Sequence, residues 1–332
     1  MGLDLRVSTH TVGHNVIARG LEAIEDFGSG LERPECVHCT AQGDVFVSDW
    51  RGGVTRIRPD GTQQLIAGNR PLKPNGFAIL PERSFLIAHL GERDGGVWKL
   101  TAKGELSPFL LECEGRPLEP TNFVHWNDDR AWITVSTRHV PRAPARSPKV
   151  ADGYVVLVDR RGARVVADGL AFTNECKVDP SGKWLYVNET YGHRTSRFPL
   201  NDSGLGNKEI YAEYAAGVFP DGLDFDAEGG LWITSIYSNR LIRVAPDRSQ
   251  TVVLEDNDPA FVERIEMLFA SGELAGATLP PTPAARIRNL SSSAFGGPRL
   301  RTLYLGCLQD NRIYRMPSPV AGARPPHWHA RF

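Results

Sequence analysis

A short pattern recurs six times along the chain, and each copy opens on Asp, Glu or Asn. The copies start at Glu35 (PECVHC), Asn75 (PNGFAI), Asn122 (TNFVHW), Asn174 (TNECKV), Asp221 (PDGLDF) and Asn289 (RNLSSS). In five of them a hydrophobic residue follows ten positions later, at Val45, Phe85, Trp132, Trp184 and Leu231; the sixth is stretched to Leu303. A repeat of this size cannot bury its apolar face alone and must stack on its neighbours. Each copy reads as a meander of short strands parted by Gly, Asp and Asn turns, as in NGFAIL, PERS, FLIAHL, GERDGG, VWKL and ELSPFLL. Four strands per repeat and a period of roughly 40 to 50 residues predict an all-β fold, a six-bladed β-propeller. The expected organisation is a single domain over residues 1–332, with blade repeats from about 31 to 316.

Two segments depart from the repeat. Blade six has no obvious fourth strand, and the N-terminal stretch NVIARGLEAIEDFG can supply a strand that closes the ring and removes a free edge. The segment DPAFVERIEMLFASG reads as a short helical insertion between blades five and six, about 258–272. Asp258 can cap it, Pro259 suits its first turn, Gly272 can end it, and Phe261, Ile265, Leu268 and Phe269 share one face. Its expected place is the flank of blades five and six.

Composition narrows the function. With 332 residues and a net charge of −1, the chain has no basic footprint for nucleic acid and no polybasic membrane patch. No apolar run approaches membrane-spanning length, and the N-terminus lacks a charged-then-apolar signal pattern. A cytoplasmic protein, monomer or homodimer, is expected. Five cysteines in such a chain argue for free thiols. The Cys36–Cys39 CxxC falls on an extended inner strand, where buried thiols are common; a redox or half-zinc site is the other reading.

In an up-and-down blade the start of the inner strand and the loop after the second strand share a face. That face collects the six repeat-opening residues, and with them Arg138, His139, Tyr191, His193 and Tyr237 from the loops. Asn and Asp also cap turns at strand starts, which accounts for Asn75 and Asn289 but poorly for Glu35. Carboxylates and amide oxygens converging on a channel mouth suit a hard divalent cation. Ca²⁺ is the first expectation, and Mg²⁺, Mn²⁺, Zn²⁺ or Fe²⁺ are alternatives. Without a cation the carboxylates would raise each other's pKa. Asn75, His139, Tyr191 and His193 are candidates for substrate contact, and either histidine for a base, with solvated loop histidines as the other reading. The long loop Thr137 to Asp152 carries Arg138, Arg142, Arg146 and Lys149, and reads either as a lid that draws in an anionic substrate or as a solvated loop.

The segments around Glu35, Asn122 and Asn174, with DPSGKWLYVNET, PDGLDFDAEGGLWI and the closing FGGPRLRTLYLGCLQDNRIYR, resemble the gluconolactonase/regucalcin/luciferin-regenerating-enzyme family. The resemblance covers roughly Leu31 to Met316. It implies a six-bladed propeller with one divalent cation in the channel and lactonase activity on small lactones. Carried over by position, it makes Glu35, Asn174 and Asp221 the metal ligands, Asp221 also the catalytic base, and Asn122 a substrate contact. Sugar-lactone members of the regucalcin type carry an arginine two residues before the blade-three asparagine, where this chain has Pro120. The Gly expected after the repeat-opening residue is replaced by Cys36, Phe123 and Glu175. A less hydroxylated lactone therefore stands beside a sugar lactone as substrate. The rival readings are a non-enzymatic metal-binding or scaffold propeller, and a hydrolase of other esters or phosphotriesters. No GxSxG elbow, P-loop or dinucleotide fingerprint is present.

Overall fold

Runs of Val, Ile, Leu and aromatic residues, cut by tight turns, build six antiparallel meanders in a computed structural model that describes residues 21–91, 93–277, 282–283 and 285–332. The inner strands are Val37–Cys39, Pro74–Leu80, Thr121–Asn127, Thr173–Val178, Pro220–Phe225 and Leu290–Gly296. Each touches the inner strands of neighbouring blades or their second strands, and blade six returns to blade one, so the sheets form a closed six-bladed propeller. The fourth strand of blade six is Glu25–Phe27, which pairs antiparallel with Ile313–Pro317. Segments near both ends of the described chain thus complete one sheet, and the edge of Ile313–Pro317 is paired.

Inward-facing apolar residues fill the wedges between blades. Phe46, Phe77, Phe85, Phe123 and Trp132 share one buried cluster, and Trp232, Phe295 and Leu303 another. Burying each such side chain contributes about 1.5–3 kcal/mol. Among the described residues all five cysteines are free and buried, and no helix is long and apolar enough to cross a membrane.

The start of each inner strand is irregular in a way that aims side chains at the axis. Pairing with the second strand skips Asn75–Gly76, Asn122, Asn174–Glu175 and Asp221–Gly222, so these residues sit on β-bulges. In blade six the skipped residue is Ser291, not Asn289. The register agrees: Ile79 pairs with Phe85, Phe225 with Leu231 and Phe295 with Leu303, and each first partner lies four residues beyond its bulge opener only if blade six opens on Ser291. The apparent stretch of four residues in the sixth repeat has two parts: two residues because the true opener is Ser291, and two from a longer turn before Leu303. Asn289 instead lies before the strand at φ 61° and donates to Ile236 O at 3.1 Å.

The bulge glycines have a steric cause. A Cβ on Gly222 would lie 2.4 Å from Ser291 O and 2.7 Å from Ser292 Cα, and one on Gly76 would lie 2.1 Å from the Phe123 ring. The next blade's inner strand therefore approaches the backbone itself. Where Gly is absent, Glu175 reaches across instead, its Oε2 accepting from Leu223 N at 3.2 Å.

The helix Pro259–Ser271 is capped by Asp258, whose Oδ1 accepts from Ala260 N at 3.0 Å and Phe261 N at 3.1 Å, and ends at left-handed Gly272. Its buried face (Phe261, Val262, Ile265, Phe269) packs with Phe172, Tyr191, Phe219, Ile236 and Tyr237. These are residues of the channel mouth, so the helix roofs blades four and five at that end and is not merely flank cover. At the opposite end the C-terminal segment crosses the channel. Trp328 O accepts from Ala41 N at 2.8 Å, the His327 ring lies 4.6 Å from that of His38, and Phe332 stacks on Phe85 at 5.1 Å. A cavity of about 220 Å³ lies behind it, lined by His38, His125, Lys177, Asp224 and His327 among others.

Two measurements check this account. Gly222→Ala forces a methyl against the backbone of blade six and is expected to cost about 1–3 kcal/mol in urea unfolding; no loss would mean that the blades can part there at no cost. Glu175 has its carboxyl pushed up to about 8, first by burial and further by Glu35 and Asp224, with Lys177 opposing. Below its ordinary value of 4.5 it is protonated whether the chain is folded or not. As pH rises from there to about 8 the unfolded chain ionises first, so stability is lost across that window. Glu175→Gln should therefore raise the melting temperature at pH 8.5 by at least ~2–4 °C and leave it unchanged at pH 4. An equal shift at both pH values would point to packing, not ionisation.

Candidate active site at the channel mouth

The strand starts, four of them bulged, bring five of the six opening residues to one end of the channel: Glu35, Asn75, Asn122, Asn174 and Asp221 are all 1–6% exposed. Their polar groups form linked chains. Arg33 Nη1 donates to Glu35 Oε2 and, at 2.9 Å, to Asn75 Oδ1. Asn75 Nδ2 donates to Asn122 O at 3.0 Å and Oδ1 at 3.2 Å, and Asn122 Nδ2 to Ser136 Oγ at 3.0 Å. Across the axis, Asn174 Nδ2 donates to Thr190 Oγ1 at 3.0 Å and to Asp221 Oδ1. Ser291 closes the ring by donating to Glu35 O at 3.0 Å.

Asp221 Oδ2 is buried and has no hydrogen-bond partner among the described residues. Burial, then the nearby Glu35 and Glu175, raise the Asp221 carboxyl well above the usual carboxylate range, partly opposed by Arg33 and Arg142. Two carboxylates facing one small space, one with an orphan oxygen, form a donor set that fits a hard cation, since positive charge would relieve both burial and repulsion. Only two ring members are carboxylates; among the described residues no group of three or more His, Cys, Asp or Glu is placed to hold a metal, so amide oxygens would have to complete the set.

Glu35, Asn122, Asn174, Asp221 and Tyr191 line a cavity of about 30 Å³, together with Arg33, Arg142, Arg146, Phe172 and Thr190. That is room for an ion or a water, not for a sugar-sized ring. Tyr191 is held by its hydroxyl 3.1 Å from that of Tyr237 and by stacking on Phe269 of the roof helix.

Two expected residues are not brought to this cavity. His139 is half-exposed and lies 3.6 Å from Asp152, in the loop base. His193 packs between Phe219 and Phe269 with Nδ1 3.6 Å from Glu266, because its left-handed backbone (φ 49°) turns the ring under the roof helix. Asn75 supports the cavity wall through Asn122 and does not line it.

Sequence reasoning passed over Arg33. It stands two residues before Glu35, the same offset at which Pro120 precedes Asn122, so the offset carried a usable signal in a different blade. Of the four basic residues in the loop, Arg142 and Arg146 line the cavity. Arg138 is drawn aside by Asp168 at 2.5 Å and lies over the Tyr154 ring at 4.4 Å.

Comparison with known proteins agrees with this architecture. A 6-deoxy-6-sulfogluconolactonase of Pseudomonas putida is 27% identical over 246 residues, covering 71% of this chain and 69% of the relative. A gluconolactonase structure from Xanthomonas campestris superposes with a TM-score of 0.67 at 19% identity, covering 89% of each chain. Regucalcin of Agrobacterium tumefaciens, described as a calcium-binding protein, superposes with a TM-score of 0.65 at 17% identity, over 92% of this chain and 95% of that one. At these identities the structural likenesses speak for the fold. The model of the SMP-30/Gluconolactonase/LRE-like region matches residues 63–255, and with the closed ring and its polar mouth already described, the chain belongs to that family.

Proposed function

We propose that the protein is a lactonase: a hydrolase that opens the ring of a small lactone, with a divalent cation, Ca²⁺ first among candidates, held by Glu35, Asn174 and Asp221. The observation that carries this reading is the buried, unpartnered Asp221 Oδ2 beside Glu35 at the end of the channel. Family membership and the sulfogluconolactonase relative support lactone chemistry. A bound cation would supply Lewis-acid polarisation of the lactone carbonyl and would lower the raised Asp221 pKa.

The side chains have separable tasks. Asp221 takes a proton from water as the water oxygen bonds to the carbonyl carbon. As the acyl carbon–ring oxygen bond breaks, that proton passes to the departing ring oxygen, and the new acid releases its own proton to solvent. Asn122, its amide fixed between Asn75 and Ser136, is set to hydrogen-bond the substrate. Tyr191 and Phe172 supply an apolar wall. Because the cavity holds only about 30 Å³, its lining, which includes Arg142 and Arg146, has to open further for a lactone to enter.

Purified protein should contain one divalent ion per chain by elemental analysis. Hydrolysis of a lactone panel, followed with a pH indicator, should stop on chelation and return with added Ca²⁺. Asp221→Asn should lower kcat by at least ~10²–10⁴-fold without unfolding the protein. Stoichiometric metal with no turnover of any lactone, ester or phosphotriester would move the reading to a metal-binding scaffold. Chelator-insensitive hydrolysis would remove the cation from it.

A further inference from the structure

The cavity lining is unusual in charge. Three guanidinium groups, Arg33, Arg142 and Arg146, face two carboxylates, Glu35 and Asp221. A cavity that also held a divalent cation would carry still more positive charge. Arg33 is committed to Glu35 and Asn75. Arg146 spends one N–H on Ala277 O at 2.7 Å. Arg142 makes no hydrogen bond or ion pair among the described residues; its nearest ring contact is Phe172, 5.9 Å from its guanidinium carbon. Glu35 and Asp221 attract Arg142 through space without bonding it, and Glu35 is already paired with Arg33.

An unpaired guanidinium drawn out of water is unfavourable, and burial followed by repulsion from Arg33 brings the Arg142 pKa down to about 10. Its position is nevertheless built. Arg142 precedes the turn Ala143–Ala145, whose Ala145 is buried against the aromatic cluster of the roof helix, and Arg146 ties the same turn to Ala277 beyond that helix. A planar fork of donors without a hydrogen bond among the described residues, lining the cavity beside a second arginine, matches an oxyanion that accepts two hydrogen bonds at once.

We propose that the lactone opened here carries an anionic substituent away from its carbonyl, a sulfonate, phosphate or carboxylate, and that Arg142, assisted by Arg146, binds that group and selects for it. This rests on the lactonase reading for the reaction, but the anion site stands on the arginines alone.

Two experiments test it separately. The first compares kcat/KM for D-glucono-1,5-lactone with its 6-phosphate and 6-deoxy-6-sulfo counterparts and with D-glucaro-1,4-lactone, in wild type, Arg142→Gln and Arg142→Lys. The expected result is a preference for at least one anionic lactone of roughly 10- to 100-fold that collapses in Arg142→Gln and returns in part in Arg142→Lys. Which anion gains most identifies the group. Equal rates on neutral and anionic lactones, or a preference that Arg142→Gln leaves intact, overturn the proposal; so does an equal loss on all lactones, which would assign Arg142 to the carbonyl. The second titrates glucose 6-phosphate and glucose into the protein as purified, by calorimetry, with no turnover involved. Binding of the phosphate but not of glucose, weakened at least roughly 10-fold by Arg142→Gln, supports the anion site even if no lactone is hydrolysed. Absence of binding in wild type overturns it whatever the lactones do.

Discussion

Two carboxylates at the end of a closed ring of sheets are the constraint around which the rest is arranged. Asp221 lies on the inner strand of blade five and Glu35 just before that of blade one, and propeller closure drives them toward one axis. Burial and mutual repulsion make that arrangement unfavourable unless positive charge is near. The chain supplies some of it directly through Arg33, holds Asn174 against Asp221, and leaves one oxygen of Asp221 without a partner. The bulges are what make this possible. A regular inner strand would alternate its side chains up and down the blade, whereas skipping one or two residues at its start turns the opener toward the axis.

Much of this was legible in the chain before any fold was known. The period of the repeat predicted the blade number, the all-β class and the insertion, and Asp258, Pro259 and Gly272 bounded the helix closely. Those features are local: caps, turns and alternation are properties of a few neighbouring residues. Glu35, Asn122, Asn174 and Asp221 could be grouped because a repeat converts sequence position into spatial position.

What escaped the sequence depends on contacts between blades. Ser291, not Asn289, opens blade six, and only strand pairing distinguishes them, since the sequence offers an amide at Asn289 and a hydroxyl at the true opener. Arg33 belongs to no repeat pattern, and its role appears only when blades one and two bring Glu35 and Asn75 within reach of one guanidinium. Blade topology puts His193 in a loop at the mouth end, but its left-handed backbone and the roof helix turn the ring away from the cavity. The helix itself was expected at the flank. An apolar stripe tells that a face is buried, not which of several apolar surfaces buries it.

The way blade six is assembled has a consequence for how the chain reaches its native state. Its outer strand, Glu25–Phe27, pairs with Ile313–Pro317, so nearly the whole chain separates the two partners. Blades one to five can each form from contiguous sequence as it leaves the ribosome, but the ring stays open until the last meander is made. Closing so long a loop costs entropy that only contacts already in place can offset. The polar mouth, which draws Glu35 from blade one and Asp221 from blade five, is therefore among the last features to become complete.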